Sequence, residues 1–392
     1  MVEAVLSPKK QVKVQEVLKS NKQFKDPHFK AEESSLFNSK KSKLTSSEQK
    51  EWKALKWQRP NEFFGSFKVF EAKIEASDIK QGDLGNCYFL SALAALTEFP
   101  QFIRKVFSTP EPNEVGCYEV SFCLNGEQIA VAIDDFFPCK DGKPAFSQCN
   151  GNEIWVLILE KAWAKVCGNY ESTVIGYTSE ALRSLTGAPI RFLDHEFEED
   201  IWSLILEADK NNQVICCSAG KPNFSTNDYQ SIGLVSDHAY SIISVHEVNG
   251  ERLLKMHNPW GHQEWLGDWS DHSDKWTPEL KQQLGHSDAD DGIFFMCYKD
   301  YMCFYRSTTI CMIHEDFHYK SLRISSPIGK PVVVKITLNS ESDKIFPTLS
   351  QIAPRFAPEK LKNYELLFGK IILAKKTEEG NLIFIGGTCA KD

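Results

Sequence analysis

Two strand-like runs, LVSDHAYSIISV and LLKMHNPW, meet at Asn249-Gly250, a dipeptide suited to the positive φ angles of a two-residue hairpin turn. That turn constrains the fold more than any other short stretch, because it sets the register of both runs. With residues 249 and 250 as the turn, Asn258 falls opposite Ser241, three positions from His238. Strand side chains alternate between faces, so this register puts the imidazole of His238 and the amide of Asn258 on opposite sides of the sheet. A bulge or a longer turn is therefore expected, which would place Asn258 opposite Tyr240 and on the His238 face.

Upstream, QGDLGNCYFLSALAALTEF joins a turn-rich stretch to an apolar run. It predicts a helix opening at Cys87, with Leu90, Leu93, Ala94 and Thr97 on one face. A thiol attacks a carbonyl only as thiolate, and the first turn of a helix beside an imidazolium lowers its pKa. Cys87 is thus a candidate nucleophile and His238 its general base. Asn258 would fix the imidazole tautomer, Trp260 would shield that hydrogen bond, and Gln81 would add an amide donor to an oxyanion hole. Singly, these residues have ordinary readings: a structural cysteine, a satisfied core histidine, an Asn-Pro turn. Their order along the chain outweighs those readings.

The chain has 392 residues, 42% of them hydrophobic, enough for two or three cores. Its formal charge of −8 argues against nucleic acid, whose phosphates need a basic surface, and favours protein substrates. No transmembrane run and no signal-peptide pattern stand out, so a cytoplasmic place and reduced thiols are expected for the scattered cysteines. Cys216 and Cys217 in VICCSAG read as members of a buried strand. No coiled-coil pattern is present, which points to a monomer. The first ~60 residues, Lys- and Ser-rich, are expected to wrap a surface or stay mobile. YEVSFCLNGEQIAVAIDDFF predicts a hairpin about Asn125-Gly126, and EIWVLILEKAWAKV a second helix. From about Tyr319, the runs PVVVKITL, YELLFGKIILA and NLIFIGG suggest a β-sandwich with only three or four of the roughly seven strands it needs.

Taken together, these segments resemble the calpain family of cysteine peptidases. QGDLGNCYFLSALAALT is similar to that family's nucleophile segment, SDHAYSI to its histidine segment and NPWGHQEWLGDWSD to its asparagine segment, in the same order. FKDPHFKAEESSL, WQRP, DDFFPCKDG, GNEIWVLILEKAWAKVCGNYES and DDGIFFMCYKDY extend the likeness over residues 24 to 304. It implies an α+β fold with a papain-like core of two subdomains, followed by a partial C2-like β-sandwich. The expected boundaries are 1–21 for a tail, 22–189 for the α-rich subdomain with Cys87, 190–311 for the β-rich subdomain with His238 and Asn258, and 312–392 for the sandwich. The implied activity is calcium-dependent limited proteolysis through a thioester intermediate. Two departures leave the catalytic atoms intact: Tyr88 stands where a Trp is usual and Asp237 where a Gly is.

The resemblance also implies one Ca2+ per subdomain. Asp78 and Glu153 match the first site, and Glu264, Asp271 and Asp291 the second, where a further family glutamate falls on Ile293, whose side chain cannot coordinate a cation. No EF-hand loop is present. Two rival readings differ in chemistry. HEDFH puts His314, Glu315 and His318 in a zinc-peptidase spacing, but its flanks favour strand where that motif needs a helix. A calpain-like scaffold without activity would also satisfy the altered second site.

Overall fold

A computed structural model describes residues 12–314 continuously, together with 319–322, 324, 330–337, 345–350, 356, 369–377 and 381–390. The chain divides into two compact units, Met1–Cys123 with Ile129–His314, and Leu124–Gln128 with Glu315–Asp392. The first holds a mixed α and β papain-like core whose two lobes differ in composition.

In the α-rich lobe, helix α1 (Cys87–Leu96) is buried from Tyr88 to Leu96. Leu90, Leu93, Ala94 and Thr97, expected on one face, are buried, and so is the rest of the stretch from Tyr88 to Leu96: neighbours cover every side, as an all-round hydrophobic helix requires. Strands β1 (Cys117–Leu124) and β2 (Glu127–Asp134) form the expected hairpin, with Asn125 and Gly126 at φ 52° and 80°. Helix α2 (Trp155–Cys167) is buried along its whole length, and α3 (Thr178–Thr186) ends where Gly187 adopts the left-handed conformation.

Burying α2 completely also buries its charges. Lys161 pairs with Asp134 and donates to the Phe136 carbonyl at 2.6 Å. Lys165 pairs with Asp26 at 2.6 Å and donates to the Ala132 carbonyl. Asp26 closes the network by donating its backbone N–H to Asp134 at 2.7 Å. The N-terminal segment is thus tied down: Asp26 is a counter-ion, Phe29 and Phe37 enter a core with Trp52 and Phe146, and Val14 packs with Val115 and Cys117. Of the two expectations for this start, wrapping a surface or partial mobility, residues 14–37 follow the first, because Val14, Asp26, Phe29 and Phe37 each find a buried partner.

The β-rich lobe contains β3 (Ile190–Asp194), α4 (Ile201–Lys210), β4 (Val214–Ala219), β5 (Ala239–Val248), β6 (Glu251–His257), β7 (Ile293–Cys297) and β8 (Tyr305–Cys311). The strands make one six-stranded sheet in the order β7-β6-β5-β4-β8-β3. Cys216 and Cys217 lie buried in β4 as free thiols. Ile205 of α4, Tyr240, Met256, Phe294 and Tyr305 share its core. Helix α1 packs against β4 and β5 of this lobe and against α3 of its own, so the start of α1 lies beside the start of β5.

In the second unit, β9 (Gly369–Lys376) pairs antiparallel with β10 (Leu382–Ala390). PVVVKITL behaves otherwise: residues 331–337 carry no strand pairing, and Val333 is 85% exposed. An apolar run becomes a strand only where a neighbour takes its backbone hydrogen bonds. Glu315 and His318 of HEDFH lie outside the described residues. Among the described residues no helix is long and apolar enough to cross a membrane.

Replacing Asp26 with Ala should leave Lys165 charged and unpaired in the interior, at a cost of roughly 3–5 kcal/mol. The expected reading is a lower urea midpoint at an unchanged denaturant slope.

Candidate active site

The nucleophile is positioned by the turn before it. Gly82 runs so close to the Phe146 carbonyl that a Cβ would sit 2.2 Å from its oxygen, so only glycine fits. Asn86, fully buried, donates its Nδ2 to Glu160 Oε1 of α2 at 2.8 Å. The other carboxylate oxygen of Glu160 accepts from Ser147 N at 3.1 Å and Ser147 Oγ at 2.8 Å. Glu160 therefore anchors the residue before Cys87, a role that the sequence reading missed. Its signal was available: a carboxylate at the centre of WVLILEKAWAKV is costly unless it has a task.

Cys87 opens α1, and its thiol is set by opposing effects. Burial pushes its pKa above the ordinary value, while the backbone N–H groups of Ala239, Tyr88 and Cys87 itself draw it down. The contact with Ala239 is informative, because Ala239 follows His238. The sulfur of one lobe thus meets the backbone beside the imidazole of the other.

The predicted register shift is present. Val248 pairs with Glu251, but Ser241 pairs with His257, and the slip falls between Ile242 and Ser244. It brings Asn258 onto the His238 face, where His238 Nε2 meets Asn258 Oδ1 at 2.8 Å. Asn258 donates Nδ2 to the carbonyls of His262 and Gln263 at 3.0 and 2.9 Å, which leaves its Oδ1 to face the ring. Nε2 then carries the proton of that bond, and Nδ1 is the lone-pair nitrogen. Burial drives the His238 pKa down to about 4 against the opposing pull of Asn258. A raised thiol and a lowered imidazole make a neutral pair in this conformation.

Trp260 and Gln81 interact directly. The Trp260 ring centroid lies 4.9 Å from that of His238, and its Nε1 donates to Gln81 Oε1 at 3.1 Å. Gln81 Nε2, the expected oxyanion donor, instead gives its hydrogen to the Leu84 carbonyl at 2.6 Å. Gln81 is beside the site with its amide turned to its own loop.

The five candidate calcium ligands gather as carboxylate groups in two places. Asp78 and Glu153 share a hydrogen bond, and burial lifts Glu153 to about 7. Glu264 and Asp271 do the same; burial first and Glu264 second raise Asp271 to about 8. Glu264 Oε1 also accepts from the backbone of Asp291 and Gly292, whereas Asp291 Oδ1 accepts the Ile293 N–H at 3.0 Å. Asp271 Oδ1 is buried without a hydrogen-bond partner. Among the described residues no three or more His, Cys, Asp or Glu side chains form a ready metal cage. Paired carboxylates whose pKa burial raises, one with an oxygen that makes no hydrogen bond and has only His286 Nε2 at 3.6 Å, fit a hard cation that would be completed by backbone oxygens and water.

Comparisons with known proteins agree with this geometry. A family model described as "Calpain family cysteine protease" matches residues 24–312. The chain is 36% identical over 333 residues to the calpain-type cysteine protease ADL1 of Oryza sativa subsp. japonica, covering 79% of this chain and 15% of that protein. It is 32% identical over 312 residues to calpain-9 of Mus musculus, covering 76% and 44%. It is 34% identical over 277 residues to the calpain-1 catalytic subunit of Bos taurus, covering 67% and 38%. The chain thus spans less than half the length of each of these relatives.

Glu160 offers a test of how the site is held. Burial raises its pKa to about 7, so the folded state holds the proton more tightly than the unfolded chain, whose glutamates titrate near about 4.3. The stability from this group is complete below the unfolded value and is lost as pH rises through about 7. That loss should be absent from Glu160→Gln, so the difference between variant and wild-type urea-unfolding free energies should shift in the variant's favour as pH rises across this window. Because Gln leaves Ser147 or Asn86 without an acceptor, alkylation of Cys87 should also slow about tenfold.

Proposed function

Because this chain belongs to the calpain family of cysteine proteases, we propose that it is a calcium-dependent cysteine endopeptidase that cleaves protein substrates at a limited number of sites. The observation that carries this reading is the 2.8 Å bond between His238 Nε2 and Asn258 Oδ1 on a bulged hairpin beside the helix that starts with Cys87.

The steps follow from the atoms available. Cys87 Sγ adds to the scissile carbonyl carbon as its proton passes to His238 Nδ1. The oxyanion takes hydrogen bonds from the Cys87 backbone N–H and the Gln81 amide. Collapse expels the amine, which leaves with the proton from His238, and a thioester remains. His238 then deprotonates a water, which attacks the thioester and releases the acid and the free thiol. Asn258 holds the ring through both halves, with Trp260 over the bond.

Two changes separate the observed arrangement from a competent one. Gln81 must turn its N–H from Leu84 towards the sulfur, and the neutral dyad must gain enough solvation or charge stabilisation for proton transfer. Calcium, held by Asp78 and Glu153 in one lobe and by Glu264, Asp271 and Asp291 in the other, would offset the charge of carboxylates that lie close together. A scaffold without activity is the second reading, favoured by the same Gln81–Leu84 bond.

Casein incubated with graded calcium should be cut by the wild type and left intact by Cys87→Ser. Absence of cleavage by the wild type at every calcium level would favour the scaffold. Independently, calcium should raise the melting temperature of the Cys87→Ser protein, and Asp271→Asn should shrink that rise by removing one ligand charge. An equal rise in both proteins would remove Asp271 from the site.

A further inference from the structure

The chain turns sharply beside the second group of carboxylates. The helix Pro278–Leu284 ends where Gly285 adopts the left-handed conformation, a stop signal that lets the next residue fold back. His286 is that residue. Its backbone N–H donates to the Lys281 carbonyl at 2.9 Å, and its ring centroid lies 4.3 Å from that of Trp276 and 6.1 Å from that of Phe295. The side chain is 1% exposed, so these aromatic contacts fix the direction in which its nitrogens point.

Those nitrogens meet two carboxylates. Nδ1 faces Asp288 Oδ1 at 3.4 Å and Nε2 faces Asp271 Oδ1 at 3.6 Å. Asp288 is half exposed and also pairs with Lys281 at 2.9 Å. Neither His286 Nε2 nor Asp271 Oδ1 has a hydrogen-bond partner, although both atoms are buried. Two buried polar atoms left unsatisfied face to face are costly unless something joins them. A proton alone would draw them to about 2.8 Å, the length of a charge-assisted hydrogen bond. A tetrahedral ion held about 2.1 Å from each would part them by about 3.4 Å, close to the observed gap. The far side of the ring suits the same use, because a metal-bound imidazole ordinarily turns its other N–H to a carboxylate, and Asp288 occupies that place.

From this geometry we propose that His286 Nε2 and Asp271 Oδ1 are two ligands of a site in the β-rich lobe for a divalent transition ion, Zn2+ by its chemistry. Glu264, which lies against Asp271, supplies a third ligand and water a fourth. The choice of ion follows from the donors. Calcium takes oxygen ligands, whereas an imidazole joined to carboxylate oxygens suits zinc. At Ile293 the site lacks a side-chain oxygen, and at His286 it gains a nitrogen. Because Asp271 and Glu264 also belong to the calcium set proposed above, the two ions exclude each other, and zinc acts as a brake on calcium in this lobe. That competition rests on the calcium reading; the zinc site itself rests on the geometry alone.

The test uses the full chain carrying Cys87→Ser, which removes the nucleophile as a rival zinc ligand. This parent is dialysed against graded micromolar Zn2+ with a reductant that is not a thiol, and bound metal is counted by atomic emission. His286→Phe, added to the parent, keeps a flat ring against Trp276 and Phe295 and removes both nitrogens. Its affinity for one zinc per chain should fall at least about tenfold, while calcium still raises its melting temperature as in the parent. Asp271→Asn should weaken both ions. Co2+ in the parent should show the visible bands of a tetrahedral ion without a sulfur charge-transfer band, and His286→Phe should lose them. If His286→Phe does not fold, His286→Gln is read in its place. Equal zinc binding in parent and variant, or Co2+ bands of sulfur character that persist in the variant, overturns the site in favour of the free cysteines. Equal loss of zinc and calcium in the variant makes His286 a support for Asp271 and overturns its role as ligand. A calcium response absent from every protein, with the zinc difference intact, removes the calcium reading and leaves this site standing.

Discussion

One extra residue in a strand governs the site. The hairpin of β5 and β6 begins in the register set by its Asn249-Gly250 turn and loses one step at Ile243. Without that step the Asn258 amide and the His238 ring would occupy opposite faces of the sheet, and no side-chain rotation could unite them. With it they share a 2.8 Å hydrogen bond. The bulge re-aims a polar group at the end of an otherwise regular ladder, at the cost of one unpaired position. Asn258 is then held from behind by the His262 and Gln263 carbonyls, which prevents the amide from presenting its N–H to the ring.

The opposing lobe meets the same need by different means. Its central helix α2 carries Glu160, Lys161 and Lys165 into an interior that would reject each one alone. Glu160 faces Asn86 and so fixes the start of α1. Lys161 and Lys165 face Asp134 and Asp26, and so fix β2 and the N-terminal segment. A single helix thereby aligns the nucleophile's turn with the outer wrapping of the lobe. Directional polar contacts define these positions more narrowly than apolar packing does, because an apolar core tolerates sliding and a buried carboxylate without its donors does not.

Much of this was legible in the residues, and the failures have physical causes. The hairpin register, its slip and the buried strand VICCSAG follow from alternation and turn chemistry, which are local. The all-round burial of α1 was not readable, because an apolar helix shows which side chains avoid water but not how many neighbours cover them. Lys161, Lys165 and Asp26 were unremarkable in a charged chain, since their pairing spans more than a hundred positions for Lys165 and Asp26. PVVVKITL shows the reverse case, in which composition promised a strand and no ladder partner met it. The orientation of Gln81 was equally hidden, because an amide can serve its own loop or a neighbouring site with the same atoms.

The electrostatics of the resting site make one further step necessary. Burial acts on the two dyad members in opposite directions of pKa and in the same direction of charge: it raises the Cys87 thiol and lowers the His238 imidazole, so each is disfavoured as an ion. Asn258 and the three backbone N–H groups at Cys87 oppose this without overcoming it. Trp260 lies tilted against the imidazole and is tied through its indole N–H to Gln81, so the residue proposed to shield the His238–Asn258 hydrogen bond also engages the proposed oxyanion donor. Turning the Gln81 amide away from Leu84 would also carry its Oε1 away from the Trp260 indole unless that ring followed. The proposed oxyanion donor and the proposed general base thus share one neighbour, the indole of Trp260.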